Sequence, residues 1–442
     1  MQEKSMHCCH HYYEPVDGGL NALTVSMPRL TFGRGVLHEV GARVSNRQLR
    51  CVALVTDAKL VDSIHLDTVR RSLSAAGVEF VEYAEVSVEP TDRSIMALCE
   101  FLSHTHFDAV VSVGGGSVID TSKSALVYKQ YPAPFTTYFG APAGDGVAIP
   151  GPLLPHFACP TTCGTGSEMT GLSVVRLTHL DTKFAMASEH MMPVEAIVDP
   201  SALDTLPSSV MLSSGFDAMS HAIECYTARA YCDWPNVPNP GARPQIQGAN
   251  PWSDLGAIEA LKMVGRFLER AVSDASDSEA RDGMMWGATL AGMAFGNCGT
   301  HLPHALSYGV SNLCKDFGLP QYPADTGVFI PHGISVIVNS PSVFRWTAQS
   351  APERHLEAAR ALGAVADDAV AEDAGEVTAG RIIELMRATQ IPNGLEGVGL
   401  SVADAGALAD SAARQVRAIA NSPRDCSRDD IEGIYSRALS YW

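Results

Sequence analysis

The 442-residue sequence has no uninterrupted apolar stretch long enough to cross a membrane as a helix. Its first residues, MQEKSMHCCHHYYEP, hold neither the apolar core of a secretion signal nor the Arg-rich, acid-poor character of a transit peptide. A cytoplasmic location is therefore expected. Positive charge is scarce: 31 Lys and Arg stand against 49 Asp and Glu, a formal net charge of −18. That balance argues against nucleic acid or an anionic membrane as a partner. It leaves room for a small anionic substrate, because a local basic pocket can sit inside an acidic shell. The eleven cysteines include no C-x-x-C pair, which points to free thiols in a reducing compartment. Cys8, Cys9, His10 and His11 do form a soft-ligand cluster. Adjacent residues in a terminal tail wrap a metal poorly, so local structure or adventitious binding is the expected reading.

What the chain does hold is apolar material, 46% of residues against 18% charged, over a length sufficient for two packed domains. Residues 1–26 read as a polar arm. Apolar runs at 50–56, 78–83, 108–113, 157–159 and 196–198 have the length and composition of buried parallel strands. Helical spacing separates them at 59–76, ending at Gly77, and again from a Thr91 or Asp92 cap to about His104. This alternation predicts an α/β domain with a parallel sheet over 27–206. Beyond 206 strand signals nearly vanish, and 208–229, 252–276, 278–296 and 352–363 read as helices, so 207–442 is expected to be all-α. Residues 231–251 are too rich in Pro, Gly and Asn for a helix interior and read as a surface loop or as an ordered lid or pocket wall.

Two loops carry dinucleotide chemistry. Residues 113–120 read V-G-G-G-S-V-I-D, directly after a strand and opening a helix. Glycines there let backbone amides approach a phosphate at a helix N-terminus, although a glycine triplet also serves a plain tight turn. Residues 160–168, P-T-T-C-G-T-G-S-E, supply hydroxyls and mobile backbone after another strand. Two such loops at strand C-terminal ends are where an open α/β sheet binds its ligand. Asp57, at the end of the first strand, can accept from a ribose 2′-hydroxyl and would repel a 2′-phosphate, favouring NAD over NADP; capping the segment from Ala58 is the alternative.

In the second half, Asp217 and His221 are four apart and share one helix face. Alone, such a pair is more often a hydrogen bond. His304, in G-N-C-G-T-H-L-P-H, and His332, in I-P-H-G, change that balance, because three imidazoles and one carboxylate suit a divalent metal such as Fe(II) or Zn(II).

These five segments, in this order, resemble the iron-containing (group III) alcohol dehydrogenases from about residue 27 to the C-terminus. The resemblance implies a Rossmann-like dinucleotide domain, then an all-α metal-binding domain of the dehydroquinate synthase-like type, with the active site in the cleft between them. It implies Asp217, His221, His304 and His332 as metal ligands, with Fe(II) preferred to Zn(II). NAD(H) contacts would come from Asp57, Gly114, Gly115, Gly116, Ser117, Asp120, Thr161, Thr162, Ser167 and Lys183. Where many members carry a second histidine four residues after the ligand, this chain has Tyr308, a poorer proton relay at neutral pH but still able to bond a substrate oxygen. His301, close by, reads as a supporting histidine. Ser307-Tyr308, C-C-H-H, V-E-P-T-D at 88–92, the loop at 243–251 and A-P-E-R-H-L-E at 351–357 are similar to the hydroxyacid–oxoacid transhydrogenase branch. That likeness implies hydride transfer from 4-hydroxybutyrate to 2-oxoglutarate through a retained nicotinamide, with Arg243 as a candidate for the substrate carboxylate. A homo-oligomer, expected to be a dimer, is also implied. A conventional NAD-linked alcohol or 4-hydroxybutyrate dehydrogenase, or a non-catalytic binding protein on the same fold, is the alternative.

Overall fold

The computed structural model describes Tyr12, Glu14 and residues 16–314, 317–319 and 330–442. The Cys8–His11 cluster lies outside the described residues. The chain forms two compact units: Ser26–Leu206, and Pro207–Trp442 together with Met1–Val25.

The first unit is built on a six-stranded parallel sheet. Its strands in chain order are β1 (Arg29–Phe32), β2 (Cys51–Val55), β3 (Glu79–Tyr83), β4 (Ala109–Gly114), β5 (His156–Pro160) and β8 (Glu195–Val198), arranged β1-β8-β5-β4-β2-β3. Successive strand residues point to opposite faces, and both faces are covered. Val52, Leu54 and Val111 pack with Leu66, Val69 and Leu73 of α2 (Ile64–Ala75) and with Val40 and Val44 of α1 (Val40–Ser45). Ala53, Val55 and Val110 pack on the other side with Ile95, Leu98 and Leu102 of α3 (Asp92–Ser103) and with Val118 and Leu126 of α4 (Gly116–Gln130). Burial on both faces explains why the central strands read as continuous apolar runs. Local signals set the helix ends. Gly77 takes φ +68 after α2, and Thr91 caps α3 in a reciprocal pair with Ser94.

Two features had no sequence forecast. The edge strand β1 is one. The other is an antiparallel hairpin, β6 (Leu172–Leu177) with β7 (Thr182–Ala187), standing apart from the main sheet.

The second unit has no strand among its described residues, only single-residue bridges. Its long helices are α5 (Ser208–Thr227), α6 (Pro251–Ser273) and α7 (Ser278–Cys298), followed by α8 (Leu302–Leu313), the short α9 (His332–Ile337) and further helices to the C-terminus. The segment expected as a polar arm packs into this unit. Tyr12 is buried, its carbonyl accepts from the Tyr231 hydroxyl at 2.9 Å, and the Arg354 guanidinium lies over its ring. The 231–251 loop is ordered by the same segment. Gln247 bonds Thr24 through both amide atoms, while the backbone N–H groups of Gln247 and Gly248 donate to Asn297 and Cys298 at the end of α7.

Candidate metal centre and dinucleotide loops

α5 brings three polar groups to one face at successive turns, Asp217, His221 and Glu224, in a stretch buried from Phe216 to Thr227. Burying a helix so completely requires close neighbours. A Cβ on Gly215 would lie 2.3 Å from Leu268 Cδ1, so the glycine lets α6 approach. The next group comes from α8. His301 caps that helix, its Nδ1 accepting from the Leu302 N–H at 2.7 Å, and Pro303 sits in the first turn, where no intrahelical donor is needed. His304 follows in the same turn. The last group comes from α9, whose Gly333 packs so tightly on α5 that a Cβ there would lie 1.8 Å from the Ser213 carbonyl oxygen. The P-H-G sequence thus seats the start of α9 directly against α5.

The result is convergence on one oxygen. Nε2 of His304, His332 and His221 lie 3.3, 3.7 and 3.9 Å from Asp217 Oδ1. Ligating atoms of Asp217, His221 and His304 all fall within 4.8 Å of one another, and all three residues are buried. His221 is held flat between the Phe295 ring at 4.2 Å and the His304 ring at 4.5 Å. Burial would raise the Asp217 carboxyl, but the facing imidazoles hold it far below the usual carboxylate range. Burial would likewise lower His304, yet the facing carboxylates of Glu224 and Asp217 raise it. Asp217 Oδ1 and His304 Nε2 are buried atoms without a hydrogen-bond partner. Buried polar atoms are normally satisfied, so two such atoms facing each other fit a cation bound between them. The donor set of nitrogen and carboxylate oxygen suits a divalent transition metal.

Tyr308, one turn after His304 on α8, is buried with its ring 6.5 Å from that of His332. His301 has a supporting place: its Nε2 meets Thr227 Oγ1 at 3.0 Å, and burial lowers it to about 4. Arg243 donates from Nη1 to Thr24 Oγ1 at 3.4 Å, in the N-terminal segment. Glu224 escaped the sequence reading, although its spacing three residues after His221 was visible.

In the first unit the sheet order places β2 between β3 and β4, so the crevice where strand order reverses opens between the C-terminal ends of β2 and β4. Thr56 Oγ1 bonds the Val113 carbonyl at 2.9 Å across that crevice. Asp57 stands at its edge, half-buried, accepting the Lys59 N–H at 2.9 Å; burial pushes its carboxyl up. Helix α2 begins only at Ile64 with Ser63 as its cap, so Asp57 shapes a turn and is no helix cap.

Gly114, Gly115 and Gly116 lead from β4 into α4, which no side chain caps; the Val118 amide bonds the Gly115 carbonyl at 3.0 Å, leaving the Gly116 and Ser117 amides to face an anion. The two predicted loops pack together here. A Cβ on Gly115 would lie 3.2 Å from Thr162 Cγ2, and one on Gly116 would lie 2.6 Å from Thr165 Cγ2; Thr161 N–H donates to the Gly114 carbonyl at 3.1 Å. Ser117 Oγ accepts from the Glu89 N–H at 3.2 Å, and Glu89 in turn pairs with Lys183 Nζ at 2.5 Å.

Asp120 and Ser167 face inward. The Ser167 hydroxyl bonds Asp120 Oδ1, and the Val174 N–H donates to Oδ2 at 2.9 Å, which ties α4 to the hairpin. Lys123, unforecast, is fully buried; its Nζ donates to the Ser167 carbonyl, Ser167 Oγ and the Leu172 carbonyl at 2.6, 2.9 and 2.7 Å. Burial lowers it to about 8 against the nearby charges of Asp120 and Glu168, and burial pushes Glu168 up to about 7.

No helix of the described residues is long and apolar enough to cross a membrane. Comparison with known proteins covers nearly the whole chain. The hydroxyacid–oxoacid transhydrogenase of Rattus norvegicus is 40% identical over 423 residues, 95% of this chain and 90% of that protein. It is named as mitochondrial, unlike the cytoplasmic location expected from the first residues. The structure of a 1,3-propanediol oxidoreductase superposes with a TM-score of 0.82 at 26% identity, covering 95% of this chain and all of that one. Sulfoacetaldehyde reductase from Bifidobacterium kashiwanohense, solved in complex with NAD+, gives 0.77 at 26% identity over 95% of this chain and 99% of its own. The iron-containing alcohol dehydrogenase family matches residues 28–200, its C-terminal part matches 246–439, and the chain belongs to that family.

Proposed function

We propose that the chain is a hydroxyacid–oxoacid transhydrogenase that moves a hydride from 4-hydroxybutyrate to 2-oxoglutarate through a nicotinamide it keeps bound, giving succinate semialdehyde and 2-hydroxyglutarate. The observation that carries this reading is the near-full-length likeness to a relative of that name, 40% identical over 95% of the chain. The balance closes without an external oxidant. One acid gives up a hydride and a hydroxyl proton, and the other takes up both.

Asp217, His221, His304 and His332 would hold the divalent metal, Fe(II) in preference to Zn(II), and the loops after β2, β4 and β5 would seat NAD(H). When bound, the metal supplies Lewis-acid polarisation of a substrate oxygen and the nicotinamide carries the hydride. The chain's own residues bind, orient and move the proton. The uncapped amides at Gly116 and Ser117 receive phosphate, with Thr161 and Thr162 alongside. Asp57 takes the ribose hydroxyl. Lys123, Asp120 and Ser167 hold the two loops in register, and Lys183 braces Glu89 beside them. Tyr308 bonds the substrate oxygen or passes its proton, and Arg243 meets the substrate carboxylate.

The test mixes dialysed protein with 4-hydroxybutyrate and 2-oxoglutarate, without added cofactor, and follows 2-hydroxyglutarate. Many turnovers per enzyme with ping-pong kinetics are expected. Strict dependence on added NAD, with NADH accumulating from 4-hydroxybutyrate alone, would establish an ordinary dehydrogenase.

A further inference from the structure

Glu224 is fully buried on α5, three residues after His221, and four donors surround its carboxylate. Oε1 accepts from Ser220 Oγ and from His304 Nδ1, both at 2.6 Å. Oε2 accepts from the backbone N–H groups of His301 at 2.7 Å and His304 at 3.4 Å. A carboxylate saturated in this way offers only acceptor capacity toward the imidazole. The Nδ1 proton of the His304 ring is therefore held against Glu224, and the nitrogen left to give a lone pair to a metal is Nε2, the atom 3.3 Å from Asp217 Oδ1. The same carboxylate holds the backbone at the start of α8, so one group fixes both the ring and the main chain of a single residue.

We propose that Glu224 is a positioning residue for the metal: it locks His304 in the tautomer that ligates through Nε2, and its charge behind the ring makes that nitrogen a stronger donor. The inference rests on the assignment of Asp217, His221, His304 and His332 as ligands. Outer hydrogen-bond partners of metal-bound histidines typically set affinity by roughly 10- to 100-fold. Glutamine in place of Glu224 has one acceptor atom and cannot serve both the imidazole and the two backbone amides. Either the amides lose their acceptor, or the ring is offered an N–H and moves its own proton to Nε2, where it blocks the metal.

The experiment strips the full-length protein of metal and titrates it with Co(II), reading the visible absorption of the complex and competing with a chelator. Thermal unfolding of the metal-free protein is followed in parallel. For Glu224→Gln the Co(II) dissociation constant is expected to rise by about 10- to 100-fold. A folded variant that binds Co(II) within about twofold of the wild type overturns the inference. Should the variant not fold, proton NMR of the Co(II)-loaded wild type decides: a solvent-protected, paramagnetically shifted imidazole N–H from a ligating histidine is expected, and its absence overturns the proposal. Asp217→Asn runs beside these as a control. Unchanged Co(II) binding in that variant removes the metal site itself, whereas loss in Asp217→Asn with no loss in Glu224→Gln removes only the role of Glu224.

Discussion

Replacing Gly333 by alanine tests whether backbone contact between α9 and α5 is what delivers His332, the fourth proposed metal ligand. The added Cβ would stand 1.8 Å from the Ser213 carbonyl oxygen, an atom of the helix backbone that cannot swing aside. A carbon–oxygen contact is ordinarily no closer than about 3.3 Å, so α9 must retreat by roughly 1.5 Å. His332 begins α9 and adjoins Gly333, so the ring moves with the helix, away from an Asp217 oxygen that is now 3.7 Å from its Nε2. Metal–ligand bonds tolerate only about 0.2 Å of error, so a shift of that size removes the ligand. Overpacking of this kind costs about 1–3 kcal/mol in stability. Metal content by mass spectrometry, with thermal unfolding of the metal-free protein, reads the two effects separately. Full metal occupancy together with unchanged stability in Gly333→Ala would refute the reasoning, because it would mean that α9 can shift without consequence at Asp217.

Asp217→Asn or His304→Ala should weaken metal binding by more than about 100-fold, beyond what outer partners are worth; near-normal activity with full metal in both variants would remove these ligands from the assignment. Tyr308→Phe should lower turnover by roughly 100-fold, as for loss of a proton-transfer group, at constant metal content; metal loss would instead make Tyr308 a ligand. Asp57→Gly should shift cofactor choice toward NADP by about tenfold or more, about 1.4 kcal/mol, because the repulsion of a 2′-phosphate disappears; a wild type that binds both cofactors equally would sink that role. The fourth concerns acid stability. Burial, aided by nearby positive charge, lowers His355 to about 3, and its Nε2 bonds Thr347 Oγ1 at 2.8 Å. A histidine neutral in the fold contributes stability that is complete above its unfolded pKa near 6.5 and is lost as pH falls toward 3. Measured by urea unfolding, the advantage of the wild type over His355→Gln should shrink by about 1.4 kcal/mol per pH unit below 6.5. An advantage independent of pH would contradict it.

Local pattern carried far in this chain. The runs that became β2, β4 and β5 were legible because a strand buried on both faces must be apolar throughout, and the α5 spacing put Asp217 and His221 on one face because a helix repeats every 3.6 residues. The hairpin was not legible: its connection, residues 178–181, reads T-H-L-D, without the Asn-Gly or Asp-Gly signal of a tight turn, and Asp181 takes φ +48 in its place. Lys123 reads as an ordinary helix lysine, and only the carbonyls of Ser167 and Leu172, folded over its end, make it a buried hub.

The sequence by itself carried the alternation of β2, β3, β4, β5 and β8 with helices and the glycine and hydroxyl loops, since each is a property of a short stretch and its period, and its family resemblance supplied the four candidate ligands. Only the tertiary structure decided that His304 meets Glu224 across 80 residues of chain, that Gly333 presses α9 onto α5, and that the residues before Ser26 belong with the helical unit. Those outcomes depend on which helices pack and how closely. That is settled by the summed fit of many side chains, not by any one segment.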